Sequence, residues 1–160
     1  MSLGGGQSAA LDRAVQSAIQ SGVSFLLAAG NSNADACNYS PARVPSGVTV
    51  GSTTSSDSRS NFSNWGSCVD VFAPGSEIKS AWYDGGYKTI SGTSMATPHV
   101  AGVAALYLQE NSALSPSQLG ALISERATSG KVTDTRGSVN KLLYSLTDSD
   151  CGQDLSLIHI

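Results

Sequence analysis

Charge is scarce in this 160-residue sequence: Asp, Glu, Lys and Arg together make up 13% of it. The nine basic side chains do not outnumber the twelve acidic ones, and the net charge of -3 leaves no basic patch of the kind that nucleic acid requires. No apolar run approaches the roughly 18 residues that suggest a membrane span. Histidine occurs only at positions 99 and 159, and cysteine only at 37, 68 and 151. There is no internal repeat, no low-complexity segment and no dense acidic loop of EF-hand type. The residues after Met1 do not read as a charged and then apolar leader. Instead MSLGGGQSAALDRAV reads as the middle of a domain, and residues 150–160 as a tail of read-through character. The expected unit is therefore residues 1–149.

What is present is 40% apolar residues and 17 glycines, enough for one compact domain and too little for two. Ser8 caps a predicted helix to about Ile19, with Leu11, Val15 and Ile19 on one face. VSFLLAAGN, SGVTVGS and CVDVFAPG are short apolar runs closed by turn residues, the pattern of strands covered on both sides. A helix runs from Ser94 to about Gln109. Another, with Ser115, Pro116 and Gln118 forming a capping box, runs to about Ala127. Strands alternating with helices predict an α/β fold.

Residues 90–102 read ISGTSMATPHVAG. Ser94 opens the predicted helix, where unpaired N–H groups and the positive end of the dipole favour a developing oxyanion. A serine there serves equally as a plain N-cap, and helix logic alone leaves both uses open. The second glycine of a G-x-S-x-G elbow is replaced by Ala96, which speaks against that class of hydrolase. Pro98 is placed in the first turn, where a missing N–H costs little. Ala96, Ala101, Gly102, Ala104 and Ala105 mark a closely packed, central helix.

Three segments carry a family resemblance. GTSMATPHVAGVAALYL (92–108) closely resembles the active-site serine segment of the subtilisin-like proteases. LLAAGN (26–31) looks like that family's oxyanion-hole strand and SLGGG (2–6) like its substrate-binding edge strand, with matching spacings. The likeness is strongest to the proteinase K-like, aqualysin-type branch and covers about residues 1–147. It implies the C-terminal part of a three-layer α/β fold with a mostly parallel sheet, lacking the N-terminal strands. It also implies a secreted serine endopeptidase that acts on peptides or proteins through an acyl-enzyme on Ser94. No organic cofactor, nucleic acid or membrane partner is implied. The Asn31 side-chain amide and the Ser94 backbone N–H would form the oxyanion hole. Ser2, Leu3 and Gly4 would pair with substrate backbone as an added strand, and Ala28, Ala29 and Gly30 would line a pocket for an aliphatic or aromatic side chain.

In subtilisins the catalytic triad runs Asp, His, Ser along the chain. The base and its carboxylate are therefore expected upstream of residue 1. His99 lies about 140° round the helix from Ser94 and reads as a packed structural histidine; His159 falls in the tail. VTDTRG (132–137) reads as a turn. The alternative is a catalytically incomplete fragment with at most weak activity on activated esters. Without the first strands the sheet would expose an apolar edge that invites self-association.

Three cysteines suit an exported protein better than a cytosolic one. By the resemblance, Cys37 and Cys68 are the two ends of a disulfide, with two free buried thiols as the alternative, and Cys151 has no partner. Also by the resemblance, the Asp70 carboxylate with the Pro45 and Gly47 carbonyls would hold a structural Ca²⁺; a solvated or capping carboxylate is the alternative. Glycosylation sequons at Asn38 and Asn61 are expected to be unused.

Overall fold

A computed structural model describes residues 1–145. Cys151, His159, the tail from residue 150 and the predicted boundary at 149 lie outside the described residues. In chain order come β1 (Gly5–Gly6), α1 (Ala9–Gln20), β2 (Leu26–Ala28) and a 3₁₀ turn (Ala36–Asn38). Then follow β3 (Tyr39–Ser40), β4 (Val48–Thr53), β5 (Val71–Pro74), β6 (Ile78–Ala81) and β7 (Tyr87–Ile90). The chain continues through α2 (Thr93–Glu110), α3 (Pro116–Arg126), β8 (Thr128–Ser129) and β9 (Lys141–Leu142).

The central sheet has the order β2-β4-β5-β9-β8, with β2–β4, β4–β5 and β5–β9 parallel and only β8–β9 antiparallel. β2 (LLA) and β5 (VFAP) are unbroken apolar runs because both faces are covered, and β4 adds buried Thr49, Ser52 and Thr53 to its valines. On one face Val50, Val71 and Ala73 pack with Ala96, Val100 and Tyr107 of α2 and Leu119 and Ile123 of α3. On the other, Leu27 meets Val15 and Ile19 of α1, while Phe72 packs with Val69, Ala29 and Val132. The result is three layers with a mostly parallel sheet between them. Met1 lies beside β2, its amino group donating to the Leu26 carbonyl and its carbonyl accepting from Ala28.

The caps form where the sequence places them. Ser8 Oγ accepts from the Leu11 N–H at 3.3 Å, and Ser115 and Gln118 exchange both capping-box bonds. The start of α2 differs. Its N-cap is Gly92, which has no side chain to cap with, so Ser94 is the second helical residue and not an N-cap. The hairpin β6–β7, along with β8 and β9, was not read from sequence. Most hairpin side chains are exposed on both faces, so no apolar alternation marks it. Among the described residues no helix is long and apolar enough to cross a membrane.

Candidate active site

Ser94 stands at the mouth of a cleft, with its Oγ donating to the Ser2 carbonyl at 3.2 Å. Ser2 returns the bond, its Oγ donating to the Ser94 carbonyl at 3.0 Å. That carbonyl is free for a reason found four residues on. An α-helix would pair it with the amide of residue 98, and Pro98 has no amide hydrogen. Pro98 is the sixth residue of α2 and lies beyond the first turn, contrary to the expectation from sequence. The missing helical bond is replaced by one that ties the segment at Ser2 to the serine.

The Asn31 side chain is held from the same helix. The Thr93 backbone N–H and hydroxyl donate to Asn31 Oδ1 at 2.8 and 2.9 Å. With the oxygen committed, the amide presents Nδ2 to the cleft. A point one bond length from the Gly92 Cα, where a Cβ would stand, lies 3.5 Å from Asn31 Nδ2 and 3.6 Å from Ser94 N. Asn31 Nδ2 and the Ser94 N, with Met95 Sδ also at 3.6 Å, surround one point two residues before the serine, and two N–H donors so placed can serve a tetrahedral oxyanion.

Asn64 braces the loop that carries Asn31. It is fully buried, accepts from the Ser32 and Ala34 amides at 3.0 and 3.1 Å, and donates to the Ala29 carbonyl at 2.8 Å. Gly30 has φ of +104°, and a Cβ there would come within 2.4 Å of Asn64 Nδ2, so only glycine fits. Thr93 and Asn64 are functional neighbours that sequence reasoning missed. These partners lie 30 to 63 residues away in the chain, and no local spacing signals such a contact.

Leu3, Gly4, Ala28, Ala29, Gly30 and Asn31 line the cleft of about 190 Å³ together with Ser94. Tyr39 and Ser40 of β3 close its far wall, and β3 pairs antiparallel with β1. Leu3 and Gly4 are exposed, so backbone groups of this edge remain open to an added strand. The walls at Ala28, Ala29, Gly30 and Ala42 are small and apolar, while Asn31, Ser32, Ser40 and Ser94 give the cleft polar groups as well.

Among the described residues no basic side chain contacts Ser94 Oγ. His99 is half-buried and its Nδ1 donates to the Met95 carbonyl at 2.8 Å within its own helix, as a structural histidine does. VTDTRG is a turn, with positive φ at Asp134 and Arg136. Its Asp134 carboxylate binds the buried Arg59 guanidinium at 2.8 Å. Arg59 also donates to the carbonyls of Asp134, Ser60 and Ser63, so the loop around residue 60 is pinned to this turn.

Cys37 and Cys68 form a disulfide. Asp70 Oδ2 accepts from the Thr49 N–H at 2.7 Å, which brings its carboxylate to the start of β4, two residues after Gly47. Although Asp70 keeps solvent contact, partial burial raises its carboxyl pKa, and the Thr49 bond draws it partly back. A Cβ at Gly47 would lie 2.6 Å from Leu27 Cδ1, which explains the glycine there.

The subtilase family profile matches residues 1–147. The chain is 88% identical over 154 residues to Alkaline serine exoprotease A of Vibrio alginolyticus, an alignment that takes in 96% of this chain and 29% of that protein. It is 57% identical to the Extracellular serine proteinase of Thermus sp. (strain Rt41A), over 91% of this chain and 36% of the relative. The solved structure of a cold adapted subtilisin-like serine proteinase superposes with a TM-score of 0.91 at 84% identity, over 92% of this chain and 54% of that one. The chain thus spans about a third of the length of these curated relatives. The serine at the head of a central helix, the N–H donors near it and a family match over the whole described length agree: the chain belongs to the subtilase family.

Proposed function

We propose that this chain is the nucleophile-bearing portion of a secreted serine endopeptidase. The observation that carries this reading is that Asn31 Nδ2 and the Ser94 backbone N both lie within 3.6 Å of one point at Gly92, two residues before Ser94. In that reading Ser94 Oγ attacks the substrate carbonyl carbon and its proton passes to a base. The carbonyl oxygen becomes an oxyanion between the two donors, and the amine leaves with the transferred proton. Water then repeats the attack on the acyl-enzyme and regenerates the hydroxyl. The substrate backbone lies along Ser2, Leu3 and Gly4, and the side chain before the scissile bond enters the cleft at Ala28, Ala29 and Gly30. The base and its carboxylate belong to the portion of the whole protein that precedes this segment, following the subtilisin order of Asp, His, Ser. Two relatives named as an exoprotease and an extracellular proteinase support secretion, and so does the disulfide.

A structural Ca²⁺ fits the residues present. Among the described residues the Thr49 N–H is the one hydrogen bond given to the Asp70 carboxylate, and the 45–47 turn leads into β4 just before Thr49. One carboxylate with the Pro45 and Gly47 carbonyls is a hard oxygen set that water would complete. The ion would neutralise a carboxylate whose burial disfavours its charge.

A second reading is favoured by one observation: the hydrogen-bond partner of Ser94 Oγ is a backbone carbonyl, not a base. The chain by itself would then hydrolyse at most activated esters. Fluorophosphonate labelling with intact mass analysis, against a Ser94→Ala control, separates the readings. Stoichiometric labelling at Ser94 supports an activated nucleophile in this chain. Absence of labelling in a folded sample supports the incomplete one.

A further inference from the structure

The head of α2 lacks the device that usually fixes a helix start. Its N-cap, Gly92, has no side chain to accept from the first-turn amides. What holds this point is a neighbouring elbow: the Gly92 N–H donates to the Gly75 carbonyl at 2.8 Å. The Glu77 N–H likewise donates to Ser91 Oγ at 2.8 Å. The elbow is anchored in turn, since the Gly75 and Ser76 amides both donate to the Thr53 carbonyl at the end of β4.

Beneath it runs a chain of three hydroxyls. Ser52 Oγ and Ser60 Oγ lie 2.7 Å apart, as do Ser60 Oγ and Ser76 Oγ. Ser52 and Ser60 are fully buried, and Ser76 is half-buried. The fit around Gly75 is tight on both sides. A Cβ there would lie 2.3 Å from Ser52 Oγ and 2.7 Å from the Gly92 carbonyl. Gly75 is thus pressed between the hydroxyl chain and the residue two positions before Ser94. A buried, mutually bonded network of this kind resists displacement, because moving one member leaves another unpaired.

We propose that Ser52, Ser60 and Ser76 are positioning residues. Their hydroxyl chain sets the height of the Gly75–Ser76 elbow, and the elbow sets the Gly92 amide and with it the register of Ser94 against Asn31. None of the three touches the reacting atoms. This rests on the reading of Ser94 as the nucleophile.

The test uses Ser60→Ala and, as a variant at a half-buried position that spares the core, Ser76→Ala, with Ser76→Thr keeping the hydroxyl. Two readouts are taken on the folded chain: amide hydrogen exchange at Gly92 with Ile123 of α3 as a remote reference, and Ser94-dependent p-nitrophenyl ester turnover. Loss of one link is expected to speed Gly92 exchange about tenfold while Ile123 is unchanged, and to lower kcat by a similar factor with KM unmoved. Ser76→Thr is expected to restore both. Unchanged Gly92 exchange in the alanine variants, or a rise matched at Ile123, would overturn the proposal. If the parent chain shows no Ser94-dependent turnover, the nucleophile reading fails for this chain, and the Gly92 exchange still decides the positioning role.

Discussion

Thr93 controls the orientation of Asn31: one residue supplies two donors, backbone N–H and hydroxyl, to the single Oδ1 atom at 2.8 and 2.9 Å. The same hydroxyl accepts from the Gly30 N–H at 3.2 Å, so it fixes both the amide and the loop beneath it. Thr93→Val keeps the shape and removes the hydroxyl. Ester turnover dependent on Ser94 is expected to fall about tenfold in kcat, with KM little changed and Thr93→Ser restoring the rate. An unchanged kcat would show that the backbone N–H alone orients the amide.

Gly92→Ala tests the space between the donors. The added methyl makes only ordinary contacts, none closer than 3.5 Å, so the fold should tolerate it. If Asn31 and the Ser94 N–H form the oxyanion hole, as proposed, it would crowd the space between them. In subtilisin itself, loss of one oxyanion-hole donor lowers kcat by about 10²–10³, and a loss of that order is expected here with an unchanged melting temperature.

The Arg59–Asp134 pair gives a pH dependence. The hydrogen bond from Arg59 holds the Asp134 carboxyl below the usual aspartate value, with further help from the Arg59 charge and from Arg136. A carboxyl whose folded pKa is depressed stabilises the fold fully above the unfolded value, about 3.9, and loses that contribution as pH falls toward the folded value. Urea midpoints measured downward from about pH 5 should therefore drop less steeply in Asp134→Asn than in the parent. The variant should also be less stable near neutral pH, because the Arg59 side chain, 1% exposed, then lacks its anion.

The disulfide closes a loop of 31 residues of sequence separation. Constraint of the unfolded chain by a loop of that length corresponds to about 3–4 kcal/mol. Reduction, or Cys37→Ser with Cys68→Ser, should lower the melting temperature by on the order of 10 °C. The bridge also abuts the turn that leads into Tyr39 and Ser40 at the cleft wall, so apolar peptide inhibitors should bind more weakly after reduction.

Calcium should raise the thermal midpoint in proportion to the logarithm of its free concentration once above its Kd. Asp70→Asn should abolish that rise while leaving the chelator-treated midpoint nearly unchanged. A calcium-independent midpoint in the parent would remove the ion from this site.

Much of the scaffold was legible in the residues. Ser8, Ser115 and Gln118 set helix starts through bonds that span three residues, and the unbroken apolar runs of β2 and β5 required cover on both faces. The hairpin β6–β7 was not legible, since side chains that face water on both sides leave no periodic trace. Nor was the true start of α2: a glycine N-cap gives no capping signal, and Ser94 took its place in the sequence reading.

By itself the sequence determined the three helices and strands β2, β4 and β5 in order, the caps of α1 and α3 and, through 92–108 and 26–31, the serine and asparagine that the proposed function rests on. These depend on interactions within a few residues, or on a motif retained whole. Only the tertiary structure decided that Thr93 turns the Asn31 amide, that Asn64 braces its loop, that Ser2 uses the carbonyl Pro98 sets free, and that a hydroxyl chain under Gly75 supports Gly92. Each joins segments 8 to 92 residues apart. Contacts of that span arise from packing of the sheet against α2, and short-range residue patterns do not encode them.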